Sequence, residues 1–316
     1  MDLDIAGDTI LLQPHSMKTP QIHTSPPSSF ELFVATLDQW EQELIQDVRF
    51  QHDIYHFVQM LRDNNIVHTT SDGSAPNFVG TFGWVCSLST GQRIARNHGP
   101  AYGSRTSSFR AEAYGLLSYL CLVHRAFEYT CHDLPSGLQI YTDAESVLKT
   151  LPKMLDWPFY FPSKTLAPEW DVLQAIVTKM QAYSVRPILQ WVEGHQDDKV
   201  AYNRRSLPAQ LNVDADKMAG EYEYKPYQHP TEVPLIPGIT VQLHMPQGTI
   251  TSKLKQAVRK AASAPAMIKH LCQANEWTEA EFKMVDWATH GMSVRKHYTS
   301  KRFIIKLVHD CCHSDI

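Results

Sequence analysis

The sequence predicts an α/β domain over residues 66–224, with helical extensions on either side. Three observations carry that prediction. Short β-rich runs alternate with apolar stripes at helical spacing, and turn residues or acids end the runs. Composition is that of an ordinary globular protein, 43% apolar and 20% charged, which excludes a disordered or collagen-like chain. The apolar stretch around Leu116–Val123 is far short of the roughly 20 residues a bilayer span needs.

The first 29 residues are rich in Pro, Ser, Thr and His and lack periodicity, so they read as a flexible lead-in. Residues 30–65 are helical, with Ile54, Phe57, Val58 and Leu61 forming one apolar stripe that packs on the following domain. Ile66–Thr70 is a first strand ending at the turn Ser71-Asp72-Gly73-Ser74. Phe78–Leu88 and Arg93–Asn97 are two more, joined through Thr90-Gly91-Gln92. Ser107 or Ser108 caps a long helix over Phe109–Phe127, with Glu112 in its first turns. Leu138–Thr142 is a strand with Asp143 at its end, and helices follow at Glu145–Met154 and Asp171–Tyr183. Pro187–Val192 is the last strand, and Val213–Tyr222 the last helix of the domain. Residues 225–248 hold five prolines and read as an extended linker. Beyond them Ser252–Ala262, Glu279–Ala288 and Ser300–Asp310 read as helices of a basic tail over residues 249–316, which ends without a helix stop and is expected to be incomplete.

Charge separates these parts. Residues 1–66 carry three basic and ten acidic groups (−7), residues 67–225 fifteen and sixteen (−1), and residues 249–316 eleven and six (+5). The basic tail is compatible with nucleic-acid contact but weak as a sign of it. Met1-Asp2-Leu3-Asp4 lacks the basic start of a signal peptide, and six cysteines without a framework spacing suit reduced thiols. The expectation is an intracellular protein, nuclear or cytoplasmic, without a membrane partner.

Four acids stand where this order of elements converges. Asp72 ends the first strand, Glu112 is early in the long helix, Asp143 ends the fourth strand, and Asp216 is in the last helix. Strand ends of an open α/β sheet meet at one rim, where sites form. Gathered carboxylates repel one another unless cations neutralise them. Oxygen ligands without thiolate or paired His favour Mg²⁺ or Mn²⁺ over zinc, and two such ions are a known means of phosphodiester cleavage. Asp214, two positions from Asp216, faces nearly the opposite way on a helix and reads as solvent-facing.

The motifs Thr70-Ser71-Asp72-Gly73-Ser74, Ser108-Phe109-Arg110-Ala111-Glu112-Ala113, Tyr141-Thr142-Asp143, Trp191-Val192-Glu193-Gly194-His195 and Asn212-Val213-Asp214-Ala215-Asp216-Lys217-Met218-Ala219 occur in that order. Together they resemble the motif set of type 1 ribonuclease H, of the kind found at the end of retroelement reverse transcriptase polyproteins. The resemblance covers about half of the chain. It implies a mixed five-stranded sheet flanked by helices, and Mg²⁺-dependent cleavage of the RNA strand of an RNA–DNA hybrid with two ions. It implies that Asp72, Glu112, Asp143 and Asp216 hold the metal and that His195 assists protonation or product release. It sets Asn212 to orient the last helix, with Ser74 and Ser107 touching the hybrid. A reverse transcriptase domain is an implied partner, although no Tyr-x-Asp-Asp motif occurs here.

The chain departs from the pattern in a longer interval between His195 and Asp216, in Glu193 where a basic residue is common, and in an aromatic, Pro-rich segment around Trp157–Phe161 without a basic cluster. Trp277, Trp287 and the basic run 301–306 suit nucleic-acid contact or core packing equally, and Cys272, Cys311, Cys312 and His313 lack the paired spacing of a zinc site. The alternative function is an inactive module of the same fold that binds nucleic acid or a partner protein.

Overall fold

The structure, a computed structural model, describes residues 3–5, 8–10, 27–103, 106–156, 167–194, 196, 200–222, 236, 243–245, 248–287, 289 and 292. The chain divides into two compact units, one built on residues 11–254 and the other on residues 2–10 with 255–316. In the smaller unit β1 (Leu3–Ile5) and β2 (Asp8–Ile10) form an antiparallel hairpin.

The larger unit begins with α1 (Phe30–Val34), whose Ser29 cap accepts from the Leu32 amide at 3.3 Å, and α2 (Gln39–Ile45). A two-residue strand, β3 (Arg49–Phe50), leads to α3 (Ile54–Asp63), where the Asp53 carboxylate caps the His56 amide at 2.8 Å. The stripe read in the sequence is the buried face of α3: Ile54, Phe57, Val58 and Leu61 are all within the core.

The sheet proper follows as β4 (Val67–Ser74), β5 (Gly80–Leu88) and β6 (Arg93–Ala101), then α4 (Ser108–Tyr129) and β7 (Leu138–Thr142). Next come α5 (Glu145–Leu155), α6 (Trp170–Gln181), β8 (Ile188–Trp191) and α7 (Leu207–Glu221). Six strands run in the order β3-β6-β5-β4-β7-β8. β4, β5 and β6 pair antiparallel, whereas β7 joins β4, and β8 joins β7, in parallel. This is the mixed sheet expected, with one strand beyond five. The addition is β3, which pairs antiparallel with β6 through Arg49 opposite Arg96 and Phe50 opposite Ala95.

Helices cover both faces. Trp84 Nε1 donates to Ser118 Oγ of α4 at 2.8 Å, and Thr81 Oγ1 donates to the Ala219 carbonyl of α7 at 2.8 Å. Residues 81 and 84 of one strand point to opposite faces, so α4 and α7 lie on opposite sides of the sheet. α4 is the central helix, with fully buried Leu117, Tyr119, Leu120 and Phe127 packed among the sheet, α2 and α6.

The N-terminal helices enter this core through polar bonds as well. Asn97 Nδ2 (2.8 Å) and Ser118 Oγ (2.7 Å) both donate to the Leu44 carbonyl at the end of α2. Glu41, 1% exposed, takes ion pairs from Arg125 of α4 and Lys179 of α6. Burial alone would raise its pKa, but the Arg125 hydrogen bond and the two positive charges bring it below the ordinary carboxylate value.

Within the segment read as a linker, Ile236 is buried in the core, and β9 (Leu243–Met245) and β10 (Gly248–Ile250) form a hairpin. The Glu169 amide donates to the Thr251 carbonyl at 2.9 Å, so the end of this segment is tied to the start of α6.

The smaller unit continues with α8 (Leu254–Ala274), longer than the sequence pattern suggested and running through Pro265, and α9 (Glu279–Met284). Thr278 and Glu281 form a reciprocal capping box at the start of α9, and the Phe282 and Trp287 rings pack 4.7 Å apart. The expected helix at 300–310, the basic run 301–306 and Cys311, Cys312 and His313 lie outside the described residues. Among the described residues, no helix is long and apolar enough to cross a membrane.

Candidate active site

Asp72 lies in β4, the strand where the antiparallel and parallel halves of the sheet meet, and Asp143 directly follows β7, the parallel neighbour of β4. Glu112 is in the second turn of α4, on the face toward the sheet. One carboxylate oxygen from each of Asp72, Glu112 and Asp143 lies within 4.8 Å of the other two. Asp72 is 7% exposed and Glu112 8%.

Two glycines permit this approach. A Cβ on Gly73 would lie 2.2 Å from the Glu112 amide nitrogen and 2.4 Å from the Ala111 carbonyl carbon, so only glycine lets the start of α4 come down onto β4. A Cβ on Gly194, at the end of the β8 segment, would lie 2.2 Å from Asp143 Oδ2. Gly73→Ala is expected to push strand and helix apart, at about 1–3 kcal/mol, and to weaken Mn²⁺ binding. Thermal unfolding and calorimetric Mn²⁺ titration check both, and an unchanged variant would show that the strand–helix contact is not tight.

The local electrostatics are those of crowded acids. Burial and the neighbouring Asp143 charge push the Asp72 carboxyl up to about 7. Burial, then the Asp72 and Asp143 charges, hold Glu112 well above the ordinary carboxylate range. Among the described residues, offsetting contacts on Asp72 are a hydrogen bond from the Glu112 side chain and the Gly73 amide, which donates to Asp72 Oδ1 at 2.7 Å, and Thr142 Oγ1 reaches Glu112 Oε2 at 3.5 Å. Three carboxylates brought together, two of them buried and Asp143 half-buried, form a donor set suited to a hard divalent cation.

Asp216, half-buried on α7, is not within the 4.8 Å group, yet its charge acts on Asp72. Asp214, expected to face solvent, instead receives Arg93 Nη2 of β6 at 2.9 Å and the Tyr202 hydroxyl at 2.8 Å. The two-residue offset does send the two acids apart, but the far side of α7 holds a cation rather than open water.

Asn212 is 3% exposed, and its Oδ1 has no hydrogen-bond partner among the described residues. Ser107 Oγ accepts from the Arg110 amide at 3.2 Å as the cap of α4, and the same hydroxyl lies 3.4 Å from Glu169 Oε1. Ser74 ends β4, half-buried. His195 and the aromatic segment 157–161 lie outside the described residues.

Sequence reading missed Arg110. It is fully buried beside Glu112, and its guanidinium donates to Glu169 Oε2 (2.8 Å), Asp171 Oδ1 (2.8 Å) and Asp171 Oδ2 (2.6 Å), and to the Tyr102 carbonyl. This bidentate clamp fixes the first turn of α4 against the start of α6, and with it the helix that presents Glu112. Its partners are 59 and 61 residues away, so no local pattern announces it.

The fold and site thus define a class: an α/β domain with a mixed sheet and a buried carboxylate cluster at the rim of its central strands. Among solved structures the chain is similar to ribonuclease H1 from the halophilic archaeon Halobacterium salinarum NRC-1, at 18% identity over 49% of this chain and 95% of that one, with a TM-score of 0.33. It is similar to LC11-RNase H1, solved in complex with an RNA/DNA hybrid, at 13% identity over 49% and 94%, with a TM-score of 0.34. The ribonuclease H domain of prototype foamy virus matches at 18% identity over 49% and 92%, with a TM-score of 0.35. No family model and no curated protein matches this chain.

Proposed function

We propose that residues 66–224 form a Mg²⁺-dependent ribonuclease H that cleaves the RNA strand of RNA–DNA hybrids, within an intracellular protein derived from a retroelement. The observation that carries this reading is the buried Asp72–Glu112–Asp143 cluster, with Asp216 near enough to act on Asp72. Its ordered motifs are those of the resemblance. In this reading the four acids hold two Mg²⁺ or Mn²⁺ ions. When bound, such ions lower the pKa of a water and steady charge at the phosphate.

The chain's own groups have distinct tasks. Gly73 and Gly194 keep side chains out of the cluster, and the Gly73 amide orients Asp72 Oδ1. Thr142 Oγ1 accepts from the Ala144 amide at 3.1 Å, which fixes the hydroxyl beside Glu112. Proton loss from Asp72 and Glu112 accompanies cation binding, because their carboxyls hold protons above the ordinary range. In this reading His195 assists protonation of the leaving oxygen, a task an imidazole suits. In this reading Asn212 orients α7 and its loop, and Ser74 and Ser107 touch the hybrid. A reverse transcriptase domain is the natural companion of such a module.

The test is a labelled RNA–DNA hybrid incubated with the purified chain and Mg²⁺. Cleavage of the RNA strand, lost in Asp72→Asn and Asp143→Asn, is the expected result. Equal signal from the chain and from both variants would sink the proposal.

A further inference from the structure

The far side of α7 from the carboxylates carries a second basic feature. A cavity of about 450 Å³ opens between α7 and the β3–β6 edge of the sheet, lined among others by Arg49, Arg96, Lys217, Val85, Phe50 and Met218. Val85, Arg96 and Arg49 stand in one row across three adjacent strands, each directly opposite the next. Directly opposed residues hold their Cβ atoms about 5 Å apart, and like charges so placed destabilise the pairing. Both arginines are exposed, and neither has an ion pair or a side-chain hydrogen bond among the described residues. Among the described residues lining the groove, both acids are engaged elsewhere. Asp214 is taken by Arg93, and Glu221 lies 3.7 Å from Lys217.

A two-residue edge strand is a poor place to spend stability on unrelieved repulsion, so these two guanidinium groups call for an anion. Their spacing suits one phosphate gripped by both planar forks. An apolar floor of Val85, Phe50 and Met218 beneath the basic rim suits the sugar or base attached to it.

We infer that this groove binds the phosphodiester backbone of a nucleic-acid strand, at a site separate from the carboxylate cluster. The two sites lie on opposite flanks of α7. Asp214, Lys217 and Glu221 line the groove, whereas Asp216 acts on Asp72. The inference does not depend on cleavage activity, since binding alone reads it.

The experiment is fluorescence anisotropy of a labelled single-stranded oligonucleotide with the full chain, in EDTA, across a salt series. Arg49→Gln with Arg96→Gln is expected to weaken binding about tenfold and to flatten the dependence of log affinity on log salt by about 0.7, as loss of one neutralised phosphate of a single strand requires. Arg49→Glu is the second variant. It sets a carboxylate opposite Arg96, so the edge keeps or gains thermal stability while strand binding falls. Unchanged affinity and salt slope in both variants would overturn the inference. Inorganic phosphate, a nucleoside monophosphate and a polyglutamate peptide are titrated in parallel. Binding of any of these that the double variant loses, with oligonucleotide affinity untouched, assigns the groove to a free phosphate or an acidic peptide and equally overturns it.

Discussion

Arg110→Met is expected to cost the larger unit about 3–5 kcal/mol, because it leaves two buried carboxylates without their cation. The methionine fills much of the same volume, so the loss is chiefly electrostatic. Glu169, already raised above the ordinary carboxylate value by burial despite the Arg110 charge, keeps only the neutral Ser107 and Thr251 hydroxyls to hold it ionised. Urea unfolding of the variant against the wild type measures the cost directly. A triple change in which Glu169 and Asp171 also become apolar residues of similar size is expected to recover most of it, since a buried ion network is often no more stable than a well-packed apolar one. A single variant as stable as the wild type would mean that Glu169 and Asp171 are solvated in solution.

Asp72→Asn is expected to move stability the other way. In the folded chain the Asp72 carboxyl titrates at about 7, against an ordinary value of 3.8. A carboxyl whose folded pKa is raised contributes stability that is fully present below its unfolded value and is lost as pH rises through the folded one. Without divalent cations the wild type should therefore weaken between about pH 4 and pH 7. The variant, which has no charge to bury, should lack that decline. Three units shared among coupled acids correspond to about 2–4 kcal/mol at pH 8, or a melting temperature roughly 5–10 °C higher for the variant. Mg²⁺ should raise the wild-type melting temperature and leave that of the variant unmoved. Melting scans at pH 5 and pH 8, with EDTA or Mg²⁺, give all four numbers. A variant less stable than the wild type in EDTA at pH 8 would contradict the repulsion described here.

The course of the chain was legible where local chemistry and tertiary demand agree. The α3 stripe, the Ser107 cap, the Gly91 hairpin and strand β7 all follow rules that operate within a few residues. The nearness of Asp72, Glu112 and Asp143 was readable because each acid lies in or beside a recognisable element, although Ser71-Asp72-Gly73-Ser74, read as a turn after Thr70, instead continues β4 and pairs with β5. Three features were not. β3 is two residues between helices, too short for any alternation to show, and exists only because β6 offers an unpaired edge. α7 begins at Leu207 rather than Val213, because Pro208 in its first turn resembles a loop residue while serving as a helix starter. The Arg110 clamp and the Glu41 pairs join residues that are 59 to 138 positions apart in sequence. Ionic partners across such gaps leave no period to read.

The seam between α2 and the sheet bears on how this module can be moved or shortened. A piece starting at Ile66 would retain Asp72, Glu112, Asp143 and Asp216 yet strip β6 of its outer neighbour, leave the side chains of Asn97 and Ser118 without their carbonyl acceptor, and expose a row of unpaired backbone groups. Such a fragment should stick to itself. Grafts into other polypeptides ought to carry the chain from about residue 27, so that the segment preceding the carboxylate-bearing region travels with it as its protective margin.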